Sequence, residues 1–247
     1  IIYIIIKFLK SKRYNSKYLT ATVSAVRDTR IINNKIWINM KKTLQGLRFS
    51  YYLIFHPFSG FWDLKHEKKG NVPAAITLLT LLIGTYVFMR QYTGFIFNRI
   101  DLSQYNIFME IGSIIVPFIL WCAVNWSLTT LMEGKGSFKD IFIASAFAFT
   151  PIILINIPLT VISNYLILAE GSFYFFFMTL AVFWSLFLVF FGTKVIHDYD
   201  ITKTLLTCIL IIGGMVFSIF LGLLFFNLIE RVTGFIKTII IELEYRM

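Results

Sequence analysis

From residue 72 onward the chain alternates long apolar runs with short polar links. Five runs stand out, Val72–Met89, Ile111–Met132, Ile141–Leu168, Gly171–Thr193 and Thr204–Ile229. They are long and unbroken, unlike the short periodic patches of an amphipathic fold. At about 1.5 Å per residue each is long enough to cross a hydrocarbon core of about 30 Å, the longer ones by tilting or kinking. The pattern therefore predicts an all-α fold, a polytopic membrane bundle of five transmembrane helices. The centres of the five runs hold no Asp, Glu, Lys, Arg or His. Only Glu110 comes near, at the edge of the second run, where Arg90 or Arg99 is its expected partner.

Ahead of the first run the pattern changes. Between Leu44 and Leu64, the aromatics Tyr51, Tyr52, Phe55, Phe58, Phe61 and Trp62 recur with few charges, and Lys65, Lys68 and Lys69 follow. Aromatic rings settle at the headgroup level and lysines face an anionic surface. This stretch predicts an N-terminal interfacial amphipathic segment, a short helix broken at Pro57, with Gly70-Asn71 loosening the backbone before the chain enters the membrane.

Composition sharpens the class. Hydrophobic residues make up 57% and charged residues only 15% of 247, against roughly 25% charged in soluble domains. The net charge of +10 is concentrated at the start: residues 1–71 carry fourteen Lys/Arg and three acids, leaving nine and ten for the rest. A basic block beside a span is read as retention on the cytoplasmic side. That puts the N-terminus and the loops "EGKGSFKD" and "HDYDITK" in the cytoplasm, and the C-terminus outside. No stacking or zinc motif supports nucleic acid as the target of that charge. Cys122 and Cys208 both lie in apolar runs and read as small hydrophobes. Residues 1–39 read as a basic extension upstream of a start at Met40, or as a basic arm on the membrane. Residues 40–71 form the lead-in, 72–229 the membrane domain and 230–247 a tail.

Candidate chemistry is sparse. His56 and His66 lie ten residues apart with Pro57 and Gly60 between them, and His197 follows the fourth run, so no ligand spacing for a metal emerges. There is no H-E-x-x-H, G-x-S-x-G, P-loop or dinucleotide turn, and Asp198 and Asp200 have no basic or nucleophilic companion in their own stretch. The reading is therefore not an enzyme, without metal or cofactor.

Two helix faces invite packing. In "GKGSFKDIFIASAFAFTP", Gly134 and Gly136 predict a tight turn and Ser137 an N-cap with Asp140 in the first turn. Ala144, Ser145 and Ala148 form a small-residue face, and Pro151 and Pro158 are expected to break the helix. Thr150, Asn156 and Asn164 are candidates to satisfy the freed carbonyls. Gly214, Ser218 and Gly222 repeat every four residues in the fifth run. These faces suit a partner helix or packing within the bundle. A different reading is a small permease whose pathway passes the broken third helix along Asn125, Asn156 and Asn164.

"HPFSGFWDLK", five close-set spans, "GKGSFKDIFIASAFAFTP" and "KVIHDYDITKTL" together resemble the Ypt/Rab-interacting-protein (Yip) family, in its bacterial branch, over roughly Leu44 to Ile229. The resemblance implies a non-enzymatic five-span protein of the bacterial cell membrane with its N-terminus in the cytoplasm. Eukaryotic relatives are tied to Rab GTPases. Their "DLYGP"-like motif is absent, with "DLKHE" at Asp63–Glu67 in its place, so that role does not carry over. Bacterial members resemble accessory proteins of transport systems such as carbohydrate ABC importers. The partners expected are the lipid bilayer and another membrane complex, such as ABC transporter subunits, or a second copy of the chain. Ala144, Ala148, Pro151, Pro158, Gly214, Ser218 and Gly222 are the candidate contact residues.

Overall fold

In a computed structural model, residues 37, 39–97 and 106–246 are described, so the expected extension 1–39 and Arg99 lie almost wholly outside them. The described residues are mostly helical, joined by short loops, with no strands among them. In order they form α1 (39–55), α2 (Pro57–His66), α3 (Val72–Tyr92), α4 (Ile107–Leu131), α5 (Phe138–Ala148), α6 (Thr150–Ile162), a 3-10 turn at Leu168–Glu170, α7 (Gly171–His197) and α8 (Ile201–Arg246). Five helical segments are long and apolar enough to cross a membrane: Val72–Tyr92, Ile107–Leu131, Phe138–Ile162, Leu168–His197 and Ile201–Arg246. The protein is a multi-pass helical membrane protein.

Each boundary has a local cause. Asn71 caps α3 by accepting from the Ala74 N–H at 2.8 Å, and Pro73 sits in the first turn where no donor is needed. Asn106 caps α4 in the same way through Phe108. Ser137 and Asp140 form a reciprocal capping box at the start of α5. α7 ends at Asp198, whose left-handed backbone (φ 57°) turns the chain into α8. Aspartate tolerates that conformation better than most residues.

The third span is two helices. α5 stops at Ala148, Phe149 forms the joint, and α6 restarts with Pro151 in its first turn. The Thr150 hydroxyl donates to the Phe147 carbonyl at 2.7 Å, satisfying a group that the joint frees. Pro158, expected to be a second break, lies inside an uninterrupted α6. Neighbouring helices and side chains let membrane helices absorb an interior proline in this way. Pro117 is similarly housed within α4.

α5 and α6 occupy the middle of the bundle, packed against α3, α7 and α4; this span is 61% buried, against 17–22% for α3, α4 and α7. Phe147 and Ala148 of α5, Ala74 and Ala75 of α3, Cys122 of α4 and Leu188 of α7 are shut off completely. α1 and α2 join this core through Leu53 and Phe61, while Tyr51, Phe55, Phe58 and Trp62 stay exposed on their other face. The lead-in is thus an interfacial helix pair bent at His56, with one side inserted into the bundle. Gly70, expected to loosen the backbone, does the reverse: a Cβ there would stand 2.9 Å from Ile143 Cγ2 and 3.0 Å from Leu64 Cγ. Its lack of a side chain lets α2 close on α5.

α8 differs from the others. It packs on α4 and the neighbouring edge of α7, and only 6% of its spanning window is buried. It runs 46 residues without interruption, about 69 Å. The segment after Ile229, read from sequence as a separate tail, continues this helix to Arg246.

Candidate functional site

At one end of the bundle, here called the basic end, α2, the 132–137 loop and the 198–200 loop meet. Both loops were distinctive in sequence, and the fold brings them into contact. Lys65 Nζ donates to the Ile196 carbonyl at 2.8 Å, tying α2 to the last turn of α7. Lys135 pairs with Asp198 at 2.7 Å across the two loops, and this lysine holds the Asp198 carboxyl below its usual range. The Tyr199 hydroxyl donates to the Met132 carbonyl at 3.0 Å, and Lys203 lies 4.4 Å from the centre of its ring. Burial raises the Tyr199 phenol, which keeps it a donor. Nearby, Lys69 donates to the Asp63 and Glu67 carboxylates, which hold it firmly in its charged form.

His197 is the centre of this junction. It is 1% exposed and stacks against Tyr199, with ring centroids 5.4 Å apart. The Gly136 N–H donates to its Nδ1 at 3.4 Å, so the neutral ring carries its hydrogen on Nε2. Gly134 and Gly136 explain how a backbone comes this close. A Cβ on Gly134 would lie 2.6 Å from His197 Nδ1 and 2.8 Å from the Tyr199 hydroxyl; one on Gly136 would lie 2.5 Å from Ile196 Cγ2. Neither has a positive φ, and the left-handed residue of the loop is Glu133 (φ 59°). The glycines expected to make a tight turn are there for close approach instead.

Beside His197 lies a small cavity of about 10 Å3, lined by Asn125, Ser145, Thr193 and His197 among apolar neighbours, at the threshold for one water. Asn125 Oδ1 and His197 Nε2 are buried and have no hydrogen-bond partner within the protein. One is an acceptor and the other a donor, so a single water can bridge them. His56 and His66 do not join this cluster; they stack on Tyr52 and Trp62. Among the described residues no group of three or more metal-ligating side chains converges. The junction is built as a mechanical joint between helix ends.

The residues singled out from sequence divide three ways. Ala144 (5% exposed), Ala148 (0%) and Pro151 are buried within the chain, where α3, α4 and α7 approach the third span. Ser145 accepts from the Trp121 indole at 3.2 Å. Gly214 is also used internally, since a Cβ there would lie 2.8 Å from Val124 Cγ1 on α4. Ser218 is half-buried and bonds back to the Gly214 carbonyl, whereas Gly222 faces open space and Pro158 is exposed. The three asparagines do not share a path. Asn125 faces the small cavity at the basic end. Asn164, at the opposite end, donates to the Tyr92 and Thr160 carbonyls. Asn156 lines a separate, larger cavity. At that opposite end Arg90 and Glu110 lie 3.7 Å apart, as expected.

Sequence reasoning named His197, Gly134 and Gly136 but missed that they meet. The available signal was two polar, glycine- or aspartate-containing loops predicted on the same side of the membrane.

Compared with known proteins, residues 51–224 match the family model described as the Yip1 domain. No curated protein and no solved structure is matched.

Proposed function

The chain belongs to the Yip1 domain family, and from that premise we propose that it is a non-enzymatic membrane adaptor that binds another membrane complex through α8. The observation that carries this reading is the state of α8. Its first half is seated on α4, but from Val216 onward large apolar side chains such as Phe217, Phe220, Phe225 and Phe226 are more than half exposed. One helix of a bundle left with a free face along most of its span is suited to side-by-side packing with a helix of another protein, and Gly222 offers a point of close approach. Ala144, Ala148 and Pro151 serve the protein's own core in this reading.

The basic end, with Lys65, Lys68, Lys69, Lys135 and Lys139, faces the cytoplasm, and the C-terminal end of α8 lies outside. The membrane is the bacterial cell membrane. The partner is a polytopic complex such as the membrane subunits of an ABC importer.

The test is crosslinking in native membranes, extraction in mild detergent, and identification of what accompanies the protein. One membrane complex should be enriched in constant ratio and released by Gly222→Leu together with Phe226→Lys. Recovery of the protein alone, or solute flux through the purified protein in liposomes, would overturn the reading.

A further inference from the structure

Helices of all five spans line a cavity of about 550 Å3 that is partly open at the surface, inside the range of roughly 300–1,000 Å3 typical of ligand pockets. We infer that it is a binding site for one hydrocarbon chain of a bilayer phospholipid, with the oxygen-bearing end of that chain at Asn156.

The walls have a direction. Tyr86 lies six residues before the end of α3 at Tyr92, Ser113 six after the start of α4 at Ile107, and Asn156 six before the end of α6 at Ile162. At 1.5 Å per residue, these polar side chains share one level about 9 Å inside the end opposite the basic one. Toward the basic end the lining turns apolar, with Phe118, Trp121, Ile152, Leu186, Val189 and Phe190. A polar rim near one membrane face and an apolar body reaching toward the middle is the polarity profile of a lipid, ester end first.

Asn156 supplies the independent observation. It is 4% exposed, and among the described residues its side-chain amide makes no hydrogen bond; its Oδ1 is buried and unpartnered there. An amide at membrane depth without partners is costly. Its amide N–H donates well to the carbonyl of an acyl ester.

Other occupants fit poorly. Water is disfavoured by nearly continuous apolar walls. A helix from a partner, about 10–12 Å across, is too wide for this volume. A hydrocarbon chain is narrow, and the surrounding bilayer supplies it. It enters beside α8, whose Ile212 and Met215 form one wall and which is held to the bundle along one edge only. This site is distinct from the adaptor surface on the outer half of α8, and either can fail without the other.

The full chain, in vesicles of phosphatidylethanolamine and phosphatidylglycerol with a trace of phosphatidylglycerol bearing a diazirine in one acyl chain, is photolysed and its adducts mapped by mass spectrometry. Adducts are expected on Phe118, Trp121 and Ile152 inside the cavity as well as on the exposed Phe220 and Phe225. Ile152→Trp, which fills the cavity, should abolish the inner adducts and leave those on α8. Asn156→Leu, which removes an unpaired amide and so leaves thermal stability equal or higher, should lower inner relative to outer adducts about fivefold, the worth of one hydrogen bond. Inner adducts that are absent in the unmodified protein, or unchanged in both variants, overturn the inference. If Ile152→Trp fails to fold, Asn156→Leu decides it alone.

Discussion

Gly136→Ala tests the packing of the loop junction free of backbone strain. Gly136 has no positive φ, so alanine can adopt its conformation without backbone strain. The whole cost then comes from the new methyl group, placed 2.5 Å from Ile196 Cγ2 and 2.7 Å from His197 Cε1. Real contacts of this kind run closer to 3.5–4.0 Å, so one neighbour must retreat by about 1 Å. Neither can do so cheaply, because Ile196 is 0% and His197 1% exposed and both are packed on several sides. Overpacking of this kind costs about 1–3 kcal/mol. For a chain of this size each kcal/mol moves the melting temperature by about 2–4 °C, so a fall of about 2–12 °C is expected. The assay is thermal unfolding of the purified protein in one detergent, followed by circular dichroism. Gly213→Ala is the matched control. It sits in the interior of α8 with nothing within 4 Å of its added Cβ, so the same substitution should stabilise by roughly 0.5–1 kcal/mol. A Gly136→Ala protein melting at or above the unmodified one, with Gly213→Ala below it, would refute the close-approach account.

Three further outcomes follow from the same geometry. Asn71→Ala removes the cap of α3 and should cost about 1 kcal/mol, read in the same melt; no change would mean that another group takes over the Ala74 N–H. Ala148→Leu places three extra carbons at a position with 0% exposure, so monodisperse protein should be lost on size exclusion, which separates a core role from a partner-contact role. The Asp198 carboxyl titrates lower in the folded protein than in the unfolded chain, because of Lys135. Its contribution is therefore present above the unfolded pKa and disappears as pH falls through the folded one. The pair is exposed, so Asp198→Asn should lower the melting temperature slightly at neutral pH and match the unmodified protein in acid. A gap that widens in acid would contradict that sign.

The junction at the basic end gives the two polar loops a physical role. Lys65 on the Ile196 carbonyl, Tyr199 on the Met132 carbonyl and Gly136 on His197 together lock α2, the end of α4, the start of α5 and the end of α7 at one level. With that end fixed, α8 leaves the junction held by its first turns, where Thr204, Thr207 and Ile211 are fully buried, and becomes progressively free beyond them. A rigid base with a projecting helix suits an adaptor better than a rocking carrier, whose two halves must move against each other.

Much of this protein was legible from its sequence, for a simple reason. Membrane crossing is decided by the length and polarity of a local segment, because an unsatisfied backbone in hydrocarbon is too costly to trade against distant contacts. The five spans, the bend at Pro57, the Ser137 cap, the Arg90–Glu110 pair and the restart at Pro151 could therefore all be read in order along the chain. What sequence could not decide was which of several equivalent small or polar residues meets which neighbour. Gly134 and Gly222 look alike in a string, yet one is pressed against His197 and the other faces open space. Asn125, Asn156 and Asn164 read as one set in sequence, but α4, α6 and the turn after α6 place them at a small cavity, a large one and a helix end. Pairing across 61 to 131 positions, as between Gly136 and His197 or Lys65 and Ile196, depends on how the helices pack, and only the tertiary structure decides that.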